Sequence, residues 1–111
     1  MEITVIQLEP VTVVAVEGSI DSLTADQLTK AFSEHIEAGR TRLVADLSGV
    51  HYTSSAGLRS LLIALKSSRR LGGDFRVAAV QANVLSVLSM SGFTNLIKVF
   101  ETTQAATDSF A

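Results

Sequence analysis

The chain has 111 residues, of which 47% are hydrophobic and 18% charged, with a formal net charge of -2. That length fits one domain spanning residues 1–111, burying about two thirds of its unfolded surface and needing no disulfide or metal staple. The two charge signs are scattered along the chain, which argues against a basic field for nucleic acid or an anionic membrane. The absence of cysteine excludes disulfides, thiolate metal ligands and a cysteine nucleophile. Met1-Glu2-Ile3-Thr4 has neither the basic segment nor the apolar block of a secretory signal, and no apolar run approaches membrane-spanning length. A cytoplasmic protein is expected.

Ile3 to Leu8 is apolar and β-branched, Glu9-Pro10 breaks it, and Val11 to Val16 follows, too short and too β-branched for a helix. This predicts a hairpin whose second strand is central. Gly18-Ser19-Ile20-Asp21 reads as a loop, after which Ser22 or Thr24 caps a helix carrying Leu28, Ala31, Phe32, His35 and Ile36 on one face. Gly39 ends that helix in a left-handed conformation. Arg42 to Leu47 predicts the third strand, and Ser48 to Thr53 a loop.

The second helix starts near Ser54 and carries Leu58, Leu61, Leu62, Ile63, Ala64 and Leu65, apolar over more than half its circumference. It should be the most buried helix. Arg69 and Arg70 complement the dipole of its last turn, and Gly72-Gly73 stops it. Phe75 to Val80 predicts the fourth strand. Asn83 opens a short helix with Val84, Leu85, Val87 and Leu88 inward, ending at Gly92. Ile97 to Phe100 is the fifth strand, and Thr102 or Thr103 caps a terminal helix reaching Phe110.

The order β-β-α-β-α-β-α-β-α predicts an α/β fold. Each crossover after the second strand holds a helix, which demands parallel strands joined by right-handed connections. The first strand, hairpin-paired, becomes an antiparallel edge, so the five-stranded sheet is mixed and mostly parallel. Loops leaving the carboxyl ends of parallel strands share one rim, where ligands and partners dock. That rim collects Asp21, Ser22, Ser48, Ser54, Ser55, Gln81, Asn83 and Thr102.

Asp46, His51, Ser54 and Ser55 supply the residue types of a hydrolytic triad, but the G-x-S-x-G elbow is absent. The plainer reading is that Asp46 bonds loop amides, His51 is solvated and the serines cap a helix. No enzyme is expected. Neither a Walker loop nor a G-x-G-x-x-G turn is present, so no phosphate cradle and no nucleotide cofactor is predicted. His35 and His51 lack metal-ligand spacing, and His35 falls on the buried stripe of its helix. Helix-end complementation accounts for the small basic cluster of Lys66, Arg69 and Arg70.

The helix start Thr53-Ser54-Ser55-Ala56-Gly57 has three consecutive hydroxyls where one cap needs one. At least one is spare. Ala56 and Gly57 keep the first turn bare, which is expected to leave backbone amides open to an approaching molecule. The free amides and dipole of a helix N-terminus tolerate phosphate, so modification could change this surface without unfolding the domain. From the residues alone, a plain cap is the preferred reading.

Here the sequence resembles the anti-sigma factor antagonist family of STAS domains. The resemblance runs from Asp46-Leu47-Ser48 through the hydroxyl-rich helix start to Gly57-Leu58 and the aliphatic helix, with Gly18-Ser19-Ile20-Asp21 followed by Thr24-Ala25, and Ser91-Gly92-Phe93 before the last strand. It implies a substrate instead of a catalyst. An anti-sigma factor with serine kinase activity would phosphorylate the protein, a metal-dependent serine phosphatase would reverse this, and the unmodified form would bind the anti-sigma factor and free a sigma factor. The matching motif places the phosphoacceptor at Ser55, with Ser54 standing where many members have aspartate. Asp21 is implied as a partner- or kinase-contacting position, and Ser22, Ser54, Ser55, Gly57 and Arg59 complete the expected partner surface. Arg59, four residues on, would partly neutralise the phosphate. The alternative is a STAS scaffold that binds partners through the same rim without being phosphorylated. No obvious large apolar patch stands out, so a free monomer is expected.

Overall fold

In the computed structural model, which describes residues 1–110, strands β1 (Glu2–Gln7), β2 (Thr12–Glu17), β3 (Arg42–Gly49), β4 (Asp74–Ala78) and β5 (Val99–Phe100) form one sheet in that order. Ala111 lies outside the described residues. β1 pairs antiparallel with β2, and every later neighbour pair is parallel. The helices are α1 (Ala25–Glu37), α2 (Ser55–Arg70), α3 (Ala82–Met90) and α4 (Thr103–Asp108), and a single 3-10 turn, Phe93–Asn95, precedes β5. The predicted mixed sheet and element order are both present. β2 is interior, but β3 is the middle strand.

Side chains alternate across a strand, so Val14, Val16, Leu43, Ala45, Leu47, Phe75 and Val77 share one face with the buried residues of α1, α2 and α3. Phe32 of α1 meets Phe75 edge-on, with ring centroids 4.9 Å apart. On the opposite face Val13, Val44 and Ala78 pack with Ala106 of α4, Phe100 and Phe110. Arg76 belongs to this second face and is 9% exposed. Its guanidinium donates to Asp74 Oδ2 at 3.0 Å and Ser109 Oγ at 2.6 Å, and lies 3.8 Å from the Phe110 ring centre. Desolvation opposes ionisation of Asp74, but hydrogen bonds from Arg76 and Arg69 outweigh it and hold the carboxyl below its usual range.

Several boundaries differ from expectation for local reasons. β4 ends at Ala78 because Ala79 takes a φ of 56°, leaving extended backbone before Val80. β5 is only Val99–Phe100, and Ile97 is buried in the core just before it. α3 begins at Ala82 after Gln81, without a side-chain cap from Asn83, and Val87 is exposed while Val84 and Leu88 are buried. On α2, Ile63 is exposed, whereas Ser60 and Ser68 are buried. Ser60 Oγ donates to Ala25 O at 3.0 Å and lies 2.7 Å from Thr29 Oγ1, locking α1 to α2. Arg69 does more than complement a dipole: its Nε donates to Asp74 Oδ1 at 2.8 Å. Thr102, not Thr103, caps α4 by accepting from Ala105 N. Gly39 and Gly92 follow their helices with φ of 92° and 79°, in the predicted left-handed region. Among the described residues, no helix is long and apolar enough to cross a membrane.

Candidate functional site

The parallel strands point their carboxyl ends at one rim, and backbone hydrogen bonds stitch its loops together. Gly18 N donates to Gly49 O at 3.0 Å, Ile20 N to Tyr52 O at 2.9 Å, and Ser54 N to Ile20 O at 2.8 Å. The β2–β3 ladder thus continues past its bulge to a bridge between Ile20 and Thr53. The start of α3 is tied to the same loops. Gln81 Nε2 donates to Ser48 O at 2.8 Å, and Asn83 Nδ2 to His51 O at 2.6 Å. The end of β3 and the loop entering α2 are thus tied by backbone bonds to the loop after β2 and by the Gln81 and Asn83 side chains to the start of α3.

Asp21, and neither Ser22 nor Thr24, performs the capping before α1. Its Oδ1 accepts from Leu23 N at 2.9 Å and Thr24 N at 3.0 Å, while Thr24 Oγ1 accepts from Asp21 N at 3.0 Å. This reciprocal arrangement has the logic of a capping box, one turn ahead of α1 proper. The hydrogen bonds from Thr24 and Leu23 hold the Asp21 carboxyl below its ordinary value, so it stays ionised at the rim. Ser22 is exposed beside it.

The three hydroxyls of the α2 start have separate positions. Thr53 is buried at 6% exposure. Ser54 is the N-cap: with extended backbone at φ -92° and ψ 175°, its Oγ accepts from Gly57 N at 3.3 Å. Ser55, the first helical residue, is exposed, and among the described residues its hydroxyl has no hydrogen-bond partner. The spare group is therefore Ser55. No acidic residue occupies the first turn of α2, and Arg59, one turn on, is exposed without an ion pair among the described residues.

Gly57 departs from expectation. It is buried instead of leaving the backbone open, and an added Cβ would collide with Thr53 Oγ1 and lie 2.6 Å from Ile20 Cγ2. Its bareness seats α2 against the β2 loop. The triad components do not converge either. His51 Nε2 lies 3.0 Å from Ser19 Oγ, and Asp46 Oδ1 accepts from Ser48 N at 3.0 Å, so both engage neighbours other than Ser54 or Ser55. Sequence reasoning missed two apolar members of the rim loops, Leu23 at 88% and Tyr52 at 52% exposure. The signal available for both was an apolar residue inside an otherwise polar turn.

The STAS domain family model matches residues 2–106. The Bordetella bronchiseptica protein BtrV, named as an anti-sigma factor antagonist, is 29% identical over 110 residues, covering 99% of this chain and 95% of that relative. A Thermotoga maritima crystal structure, described as that of an anti-sigma factor antagonist, superposes with a TM-score of 0.91 at 22% identity, covering 96% of this chain and 92% of the other. The Bacillus cell fate determinant SpoIIAA in its phosphorylated form gives a TM-score of 0.76 at 16% identity, covering 99% and 100% of the two chains.

Proposed function

Since the chain belongs to the STAS domain family, and within it to the anti-sigma factor antagonists by its likeness to BtrV, we propose that it is a phosphorylation-switched protein-binding module. In this reading the unmodified rim binds an anti-sigma factor with serine kinase activity, releasing a sigma factor for transcription in the cytoplasm. The kinase transfers the terminal phosphoryl group of ATP to Ser55, and a serine phosphatase restores the hydroxyl by hydrolysis. The protein is substrate and ligand, not enzyme. The observation that carries this reading is the exposed Ser55 hydroxyl, without a hydrogen-bond partner among the described residues, beside a neighbour that already caps the helix.

Division of labour between the two serines is what makes a switch physically workable. Ser54 keeps the helix capped whatever happens to Ser55, so modification leaves the fold intact. Phosphate at the first turn meets free amides, the positive end of the dipole and Arg59 one turn away. The protein itself tolerates the charge. A partner lying over Ser55 does not, because phosphate brings about 1.5 to 2 negative charges whose burial without a matched cation costs several kcal/mol. Each 1.4 kcal/mol is about a tenfold loss of affinity.

The rest of the proposed partner surface follows from the rim. Asp21, held ionised by its own cap, offers a fixed negative charge to a partner cation, with Ser22 exposed at its side. Leu23 and Tyr52 offer apolar contact, Ser54 and Arg59 flank the acceptor, and Gly57 sets the height of the helix beneath them. Incubation with the cognate kinase and ATP, followed by peptide mass spectrometry, is expected to place one phosphate on Ser55. Labelling of Ser54, Thr53 or another residue in its stead would overturn the assignment.

A further inference from the structure

Gln81 and Asn83 open α3, yet neither side chain caps it. Gln81 holds the N-cap position with extended backbone, at φ -62° and ψ 148°, and makes no side-chain cap. Asparagine at a helix start ordinarily turns its oxygen back onto the first amides. Here the Asn83 amide reaches away from its own helix, Nδ2 donating to His51 O at 2.6 Å, while Gln81 Nε2 donates to Ser48 O at 2.8 Å. Both residues are exposed, so burial does not force them into this arrangement. The two acceptors bracket Gly49-Val50 in the turn that leads from β3 to α2. A carbonyl and the N–H that follows it share one rigid peptide plane. Asn83 therefore holds the plane entering Tyr52, and Ile20 N, donating to Tyr52 O at 2.9 Å, holds the plane leaving it. With both planes held, the direction in which the Tyr52 side chain leaves the backbone is set. Ser55 is placed by other means: Ser54 N donates to Ile20 O at 2.8 Å, and Gly57 packs on Ile20.

We propose that Asn83 is a positioning residue for partner docking: it acts through Tyr52, aiming that half-exposed ring at the anti-sigma factor from the start of a helix that carries no part of the phosphoacceptor. The inference rests on the switch proposed above, in which Tyr52 offers apolar contact. An aromatic contact whose backbone is already set lowers the ordering cost of association. Docking and phosphoryl transfer are then served by different supports. Asn83 governs how well the partner is held, and the seat of α2 on Ile20 governs where the Ser55 hydroxyl stands.

Asn83→Ala should keep the melting temperature of the wild type, since the higher helix propensity of alanine offsets one lost exposed hydrogen bond. Native-state amide exchange of the full chain reads the loop without any partner. The Ile20 amide, bonded to Tyr52 O, should exchange about threefold faster or more in Asn83→Ala, whereas that of Val77, bonded to Lys98 O, should not change. An unchanged Ile20 rate, or equal acceleration of both amides, would overturn the proposal, the latter because it reports a general loss of stability. Kinetics of Ser55 labelling by the cognate kinase give the functional readout. In Asn83→Ala, KM should rise about fivefold, the scale of one net hydrogen bond, with kcat within about twofold of wild type. In a Tyr52→Ala background the same substitution should move KM by no more than about twofold, because its route to the partner is gone. Equal effects in the two backgrounds would contradict action through Tyr52. A wild type that takes no phosphate at Ser55 would overturn the switch itself, whereas normal labelling of the wild type with the same KM in Asn83→Ala would overturn the positioning role alone.

Discussion

Gly57 and Ile20 are in such close approach that a methyl group on the glycine would sit 2.6 Å from Cγ2 of the isoleucine. The backbone of the first turn of α2 is thereby seated on the loop that carries Asp21, and Ser55 takes its place at the rim from that seating.

Gly57→Ala should therefore destabilise the protein although alanine is the better helix former. Overpacking a tight site costs about 1 to 3 kcal/mol, against about 1 kcal/mol recovered from helix propensity. A net loss in the urea unfolding midpoint, with an unchanged m-value, is the expected outcome.

Ser54 and Ser55 should separate cleanly. Ser54→Ala removes the cap to Gly57 N and should cost about 1 kcal/mol, while Ser55→Ala removes an exposed hydroxyl and should stay within about 0.5 kcal/mol of wild type. Urea denaturation measures both. In the kinase assay the order reverses: Ser54→Ala is still labelled and Ser55→Ala is not.

Ser55→Asp should keep or slightly raise the melting temperature, because a negative charge in the first turn gains about 0.3 to 1 kcal/mol from the helix dipole. Binding to the anti-sigma factor should nevertheless fall at least tenfold, a loss of about 1.4 kcal/mol. Calorimetric melting and binding titrations together check the pair of effects. A loss of binding accompanied by unfolding would point to damage of the helix instead of a switch.

His35 should make stability pH-dependent near neutrality. Burial, and then the neighbouring Arg40 charge, lower its pKa from the ordinary imidazole value of 6.5, and its Nδ1 accepts from Arg40 Nε at 3.2 Å. The unfolded chain therefore binds a proton before the native one does, so the stabilisation is complete above 6.5 and is lost as pH falls through the lower native value. Urea midpoints between pH 8 and pH 5, at about half-unit steps on either side of the free imidazole value, should decline for wild type. His35→Gln should flatten that decline. Asp21 and Asp74 add a separate acid limb: both carboxyls lie below the ordinary aspartate value of 3.8, and their contribution is lost as pH falls below it.

The edge strand, the parallel crossovers and the hydroxyl-rich helix start were legible because each rests on local pattern: β-branched runs, helical spacing and turn residues in chain order. Capping was less legible. Ser22 and Thr24 are good caps by type, but Asp21 holds the position because its carboxylate reaches two amides while Thr24 answers in return. Ile63 and Val87 fit the apolar stripes of their helices yet are exposed. Ser60 and Ser68 are buried instead, their hydroxyls satisfied by backbone carbonyls.

By itself the sequence determined the order of elements, the parallel sheet and the segment that carries the acceptor, because hydrophobic period and turn chemistry act within a few residues of their cause. Which of three adjacent hydroxyls is buried, which caps and which stands free was decided by the tertiary structure. Ile20, more than thirty residues upstream in the chain, fixes the depth and rotation of the α2 start through its bridge to Thr53 and its packing on Gly57. Long-range contact of that kind leaves no periodic trace in the sequence.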